Sequence, residues 1–317
     1  MPTFSFIIPV KPGGTVKALE TLQQLKEQAC PYEILVAEGT RPSRQRNLAA
    51  QQCHGDILYF LDDDSRVVAD CLAQCAEALA DPSVAVVGGP SLTPGEDTPL
   101  QQLFGLALSS PFGAGAVRNR YRSTGTRRET TERELILCNM AIRREVYLAA
   151  GGLDERLYPN EENELLDRIS AGGHRLVHCP SLWIMRSQRP TIRAFVRQMF
   201  AYGRGRAQQT LIAGSGSIGS FIPLAFVVYP ALLGFLPVSL PLLLPAMAYG
   251  LLDTCFALGA VYGSGSFSAI CLLGLFPLMH CANGIGLLYG LIKGKPRQPS
   301  GHAEVVIRRV KELGQPG

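Results

Sequence analysis

Three consecutive carboxylates, Asp62, Asp63 and Asp64, close an apolar run, Ile57-Leu58-Tyr59-Phe60-Leu61, that Gly55-Asp56 opens. Acids this crowded repel one another unless a cation or solvent relieves them. Nothing polar alternates along the run, which predicts a strand buried on both faces. Ligands of an open α/β sheet bind beyond the carboxyl ends of its strands, where these acids would stand. An acidic turn capping the following helix is the plainer alternative. A second acidic set, Glu161, Glu162 and Glu164, suits the first turn of a helix, where the helix dipole by itself favours negative charge. Glu38 closes another strand-like run, either as a ligand contact or as an ordinary loop acid.

The elements that must position these acids read as alternating strands and helices. Strands are expected over 4–10, 33–37, 57–61 and 84–87, and helices over 15–28, 43–53 and 68–79. Repeated βα units with short connections imply a mostly parallel sheet wrapped by helices. The stretch 113–133 breaks the pattern with Gly, Ser, Thr and the arginines 118, 120, 122, 127 and 128. It reads as a mobile basic loop, either solvated or binding phosphate or anionic lipid heads.

With 317 residues the chain can bury a large core and form more than one unit. A net charge of +4 is too mild to point to nucleic acid, and none is expected as a partner. The nine cysteines are scattered without paired metal spacing, and Cys71 and Cys75, one helical turn apart, read as a packed helix face. Reduced, structural thiols facing a cytosol or lying in lipid are expected. The first strand begins at residue 4 with no basic leader, so no secretory signal is read there.

Charge divides the chain. Between residues 207 and 292 the only formally charged side chain is Asp253, which would be costly in lipid unless paired or near a headgroup. Three apolar blocks, 218–236, 240–262 and 267–292, approach or exceed the roughly 20 residues that cross a bilayer as a helix. Prolines 223, 230, 237, 241 and 245 interrupt the first two. Arg193, Arg197, Arg204 and Arg206 precede this region, and Lys293, Lys295, Arg297, Arg308, Arg309 and Lys311 follow it. The positive-inside tendency puts both flanks in the cytoplasm, which favours two full spans plus one interfacial or re-entrant block.

In order along the chain, several segments together resemble a membrane-anchored family 2 glycosyltransferase of GT-A fold. They are Phe6-Ile7-Ile8-Pro9-Val10, Val36-Ala37-Glu38-Gly39-Thr40, Arg46-Asn47-Leu48-Ala49, Gly55-Asp56 and the aspartate triplet. Then come Asn139-Met140-Ala141-Ile142-Arg143-Arg144, Gly151-Gly152-Leu153-Asp154-Glu155, Glu161-Glu162-Asn163-Glu164-Leu165 and the stretch 197–206. The match covers roughly residues 3–206. Glu38 stands where the family often has Asp, and Glu161-Glu162 where Glu-Asp is common. Gln198-Met199-Phe200-Ala201-Tyr202 lacks the Arg-Trp of the processive Gln-x-x-Arg-Trp motif, which weakens any expectation of polymerisation.

The resemblance implies an inverting, metal-dependent hexosyltransferase. Its donor would be a UDP- or GDP-type nucleotide sugar and its acceptor a lipid or saccharide hydroxyl at a membrane. Departure of a diphosphate calls for a divalent ion, Mg²⁺ or Mn²⁺, held by Asp64 and Asp62. Glu162 is the expected base and Glu161 its catalytic neighbour. Pro9, Glu38, Arg46, Asp62, Asp63, Asn139, Tyr202 and Arg204 are expected around the substrates, and Asn47 as a local backbone support. The implied layout is a catalytic domain over 1–206 with a substrate loop near 113–133, membrane helices over 207–292 and a basic cytosolic tail over 293–317, in a multi-pass protein of the cell membrane. A polyprenyl-phosphate acceptor and a non-catalytic scaffold that binds nucleotide sugar are the alternatives. A transporter fits poorly with so short and apolar a membrane portion.

Overall fold

The computed structural model describes residues 1–25, 30–214, 218–237, 239–298, 301 and 303–314, with the backbone alone for Ile218. The last residues of the helix expected over 15–28 therefore lie outside the described residues, as do parts of the expected 207–292 and 293–317 segments.

The strands in chain order are β1 (Phe4–Val10), β2 (Tyr32–Glu38), β3 (Ile57–Leu61), β4 (Arg66–Val67), β5 (Val84–Gly88) and β6 (Ser91–Leu92). They continue as β7 (Arg128–Thr130), β8 (Asn139–Arg143), β9 (Arg175–His178), β10 (Ile184–Met185) and β11 (Val306–Lys311). The helices are α1 (Ala18–Leu22), α2 (Pro42–Gln52), α3 (Cys71–Ala78), α4 (Pro99–Ser109), α5 (Pro111–Ala114) and α6 (Arg144–Ala149). After them come α7 (Glu161–Ala171), α8 (Ile192–Ala213), α9 (Ala225–Phe235), α10 (Leu240–Ser264) and α11 (Leu272–Lys293). The chain folds as two compact units, one of Met1–Pro94, Asn119–Ser187 and Arg297–Gly317, the other of Gly95–Arg118 and Gln188–Pro296.

In the first unit, eight strands among the described residues form a sheet of order β11-β2-β1-β3-β8-β5-β9-β7. The parallel run that the βα repeats predict is β2-β1-β3, with Phe4 opposite both Tyr32 and Ile57. The sheet as a whole is mixed, because β8 enters antiparallel between β3 and β5, and β11 and β7 pair antiparallel at the two edges. β11 was not foreseen as a strand. Its Arg309 pairs with the wholly buried Glu33, and the chain end thereby covers the β2 edge.

β3 is apolar throughout, and β1 apart from Ser5, because their side chains feed two cores. Phe6, Ile8, Tyr59 and Leu61 pack on one face, and Ile7, Leu58 and Phe60 on the other. Phe6 stacks on Tyr59 at 5.0 Å, and Phe60 meets Tyr147 at 5.2 Å. Gly55 passes so close to β1 that a Cβ would lie 2.7 Å from the Phe4 carbonyl carbon. Asp56 then accepts from the Thr3 backbone N–H at 2.9 Å, fixing where β3 begins. All nine cysteines are unpaired, and Cys71 and Cys75 lie in the core with burial pushing the Cys71 thiol up to about 12.

The stretch 113–133 contains α5, a short 3₁₀ helix over Gly115–Arg120 and β7, so it is not the open loop its composition suggests. Its arginines have fixed partners: the Arg120 Nε donates to the Arg133 carbonyl at 2.9 Å, and Arg128 forks onto Glu134 with both bonds at 2.9 Å.

In the second unit, two apolar helical segments are long enough to cross a membrane, Leu240–Ser264 and Phe267–Lys293, and a shorter one covers Gly219–Phe235. α8 packs on α11 through small residues: a Cβ on Gly203 would stand 2.0 Å from the Asn283 carbonyl, and one on Gly286 2.0 Å from that of Phe200. Phe112 sits among Tyr249, Phe256, Phe276 and His280, and the Tyr249 hydroxyl meets His280 Nδ1 at 2.9 Å. Asp253 is buried on α10.

Candidate active site

The carboxyl ends of β1, β2 and β3 lie side by side, with Val10 opposite Glu38 and Leu61 leading directly into the acid triplet. A tight turn follows β3, in which the Asp62 backbone N–H donates to Ser65 Oγ and the Ser65 N–H to the Asp62 carbonyl, both at 3.2 Å. The Asp63 carbonyl accepts from the Ala18 N–H at 3.0 Å, tying the turn to α1. Asp63 is held above the usual carboxylate range, first by burial and then by the charges of Asp64 and Asp62.

Arginines link the acids. Arg46, buried on α2, places Nη2 2.7 Å from Asp62 Oδ1 and Nη1 3.8 Å from Glu161 Oε1. Arg186, just beyond β10, places Nη2 3.1 Å from Asp62 Oδ2 and Nε 2.9 Å from Asp64 Oδ1. Arg120 reaches Glu162 Oε1 at 3.5 Å and also holds Asn163 and the Glu132 carbonyl. The outcome is a chain of linked acids and arginines that joins the β3 turn to the first turn of α7.

Within α7, Glu161 and Glu162 occupy the first two positions after Asn160, whose φ is +85°. The helix dipole favours their charge, but burial of Glu161 outweighs it. Removal from water, followed by the neighbouring Glu162 and Asp62 charges, pushes the Glu161 carboxyl up to about 8, with Arg46 pulling the other way. Its buried Oε2 has no hydrogen-bond partner. Glu161 therefore carries a proton at neutral pH, while Glu162 faces Arg120 as an ion pair.

The remaining expected residues fall into three groups. Glu38 accepts from the Gly13 backbone N–H at 3.1 Å and from Arg308 at 3.3 Å, and Pro9 stands one position before the end of β1, opposite Ala37. Asn139 is wholly buried with its amide spent internally: it accepts from the Tyr59 hydroxyl at 2.8 Å and donates to the Leu182 carbonyl at 2.6 Å, which props the end of β3. Tyr202 and Arg204 lie on α8 in the other unit, where the Tyr202 hydroxyl accepts from Gln198 at 2.7 Å. Asn47 supports backbone, bonding both the Leu153 N–H at 2.9 Å and the Leu153 carbonyl at 2.8 Å. Arg186 was missed, and Arg120 was noted only as part of a basic stretch. No local pattern marks either one, and the only available signal was the need of the acids for counter-charge.

Asp62 and Asp64 aim at one guanidinium and so converge on one cation. Their oxygen donors fit Mg²⁺ or Mn²⁺, which takes one or two carboxylates and completes its shell from substrate phosphates and water. Among the described residues, no group of three His, Cys, Asp or Glu side chains is gathered to hold an ion unaided.

A mixed sheet with an acid-tipped central strand, flanked by helices and followed by apolar helices, is the architecture of a GT-A-type sugar transferase. The family model described as Glycosyl transferase family group 2 matches residues 57–289, well over half the chain. The chain belongs to that family. Among solved structures, the mannosyltransferase PcManGT from Pyrobaculum calidifontis, in complex with GDP-Man and Mn²⁺, aligns with a TM-score of 0.58 at 15% identity, covering 92% of this chain and 88% of that one. S. aureus TarS 1-349 in complex with UDP-GlcNAc aligns with a TM-score of 0.46 at 12% identity, covering 92% and 91% of the two chains. At such identity the PcManGT likeness shows the fold alone. A search of curated protein sequences gave no match.

Proposed function

We propose that this glycosyltransferase moves a hexose from a UDP- or GDP-type nucleotide sugar onto a hydroxyl of a lipid or saccharide, with inversion, at the cytosolic face of the cell membrane. The observation that supports this is the linked array Glu161, Arg46, Asp62, Arg186 and Asp64, with Glu162 beside Glu161, which brings the proposed base and the proposed metal-holding acids into one unit.

Glu38 and Pro9, at the ends of β2 and β1, face the nucleoside, and Asp62 and Asp63 its ribose. Asp64 and Asp62 hold the divalent ion, which supplies charge neutralisation for the departing diphosphate. Glu162 takes the acceptor proton as the acceptor oxygen bonds to the anomeric carbon, and the donor's carbon–oxygen bond breaks with its electron pair leaving on the diphosphate. Glu161, already protonated, cannot compete for that proton and instead shapes the pocket floor. Arg46 keeps Glu161 and Asp62 in register. The proposed catalytic domain, 1–206, takes in most of the first unit and segments 95–118 and 188–206 of the second, has β11 from the basic tail 293–317 on its β2 edge, and is followed by a proposed membrane part over 207–292. Apolar side chains exposed around α10, including Leu240, Leu244, Met247 and Leu251, suit lipid rather than water.

The test is a screen of UDP- and GDP-sugars with purified full-length protein, membrane lipid extract and Mn²⁺ or Mg²⁺, reading released nucleotide and product mass. Glu162→Gln is expected to lower kcat by about 10²- to 10⁴-fold if the acceptor is a hydroxyl. An unaffected Glu162→Gln variant would assign a phosphate acceptor, which arrives ionised. No metal-dependent turnover with any donor would leave a scaffold.

A further inference from the structure

Arg186 spans both aspartates proposed to hold the divalent ion. Its placement is built in. β10 pairs with β4, the strand that leaves the acid turn, with Met185 opposite Arg66 and Ile184 opposite Val67. The Arg186 backbone N–H then donates to the Leu92 carbonyl at 3.0 Å, continuing the small sheet past β10. The guanidinium is thus aimed by the same strands that shape the turn, with one nitrogen on Asp62 and another on Asp64. A third nitrogen lies 3.8 Å from Cys138 Sγ.

A guanidinium and a divalent ion cannot share these oxygens without strong like-charge repulsion. Either partner must give way. A nucleoside diphosphate changes the balance, since it brings new anionic oxygens on which a released guanidinium can fork bidentately.

We propose that Arg186 is a positioning residue that acts as a built-in counter-ion. It occupies Asp62 and Asp64 until metal and diphosphate arrive together, then passes to the diphosphate. The inference rests on the metal–diphosphate reading above. Its consequence is coupling: metal and nucleotide each tighten the other, because the first to bind alone must bear the cost of displacing or lacking Arg186.

The experiment titrates Mn²⁺ into the full-length protein in detergent, following free Mn²⁺ by electron paramagnetic resonance, with and without UDP or GDP. For the native chain, nucleotide is expected to tighten Mn²⁺ by about tenfold or more. Arg186→Gln removes the competitor, so Mn²⁺ alone should bind about tenfold more tightly than to the native chain, and UDP or GDP without metal more weakly. Arg186→Lys, which keeps the charge but cannot fork, should fall between the two, and it serves if the Gln variant does not fold. Asp64→Asn should abolish the site in every background. Mn²⁺ affinity that is unchanged or weakened in Arg186→Gln overturns the proposal. So does native Mn²⁺ binding that is indifferent to nucleotide. These readouts need no turnover, so a native enzyme that transfers sugar but shows no Arg186 effect sinks this inference alone. Failure of every donor to turn over sinks the functional reading instead.

Discussion

The buried carboxyl of Glu161 makes a prediction about stability that does not depend on substrate. Its proton is held up to about 8 in the folded chain, against an ordinary value of 4.5. Below pH 4.5 both folded and unfolded chains carry it. Between 4.5 and 8 the folded chain keeps the proton and the unfolded chain releases it, so the stability this proton contributes falls as pH rises through that window and is gone above it. At about 1.4 kcal/mol per pH unit, the ceiling is about 5 kcal/mol. Glu162, which is adjacent and paired with Arg120, shares that cost, and about 2–3 kcal/mol should reach the stability curve. For a chain of this size that is about 5 °C in the thermal midpoint. The assay is a series of thermal melts from pH 5 to pH 9 on the native protein and on Glu161→Gln, in one detergent and at one scan rate. Glu161→Gln cannot titrate and should lose the extra downward slope, so that the variant gains on the native protein with rising pH. Parallel curves for the two proteins would refute the assignment of the proton to Glu161.

The other expectations concern packing and paired charge. Gly203→Ala forces a methyl against the Asn283 carbonyl, 2.0 Å from the built Cβ, and should cost about 1–3 kcal/mol. Gly234→Ala, with nothing within 4 Å, should leave the melt unchanged, and equal effects at the two sites would remove the close α8–α11 approach as the cause. Arg309→Met strands the buried Glu33, which also accepts from Ser5 Oγ and the His54 N–H, both at 2.6 Å, and should cost about 3–5 kcal/mol. The double variant Arg309→Met/Glu33→Gln should recover much of that loss in the same thermal assay.

Features written in contiguous residues were legible in the sequence. The strand 57–61 and its acid tip are visible because both of its faces are apolar and the polarity changes at one residue. The start of α7 shows because three acids fall within one turn. Helix 43–53 is nearly recovered as α2, which Pro42 opens at its first position. By contrast, the helix expected over 15–28 is described only as the short α1, Ala18–Leu22. Features set by long-range register were not legible. β8 is a five-residue run that enters antiparallel between β3 and β5, and its local pattern does not give its direction. β4, β6 and β10 are two residues each, too short for any periodicity, yet their pairing brings Arg186 to the acid turn.

The same asymmetry governs the site. A run of acids advertises an unmet need for positive charge, because no fold can bury like charges together at low cost. The arginine that meets the need leaves no such mark, since a long flexible side chain can reach its partner from any element that register brings near. The arginines of 113–133 read as a mobile basic loop, but Arg120 and Arg128 are bound to carbonyls and a carboxylate of the fold. Arg186, which no motif marks, bridges the two aspartates. Asn139 shows the converse: its position in a motif suggested substrate, but burial and three internal hydrogen bonds commit it to holding β3 where the acids need it.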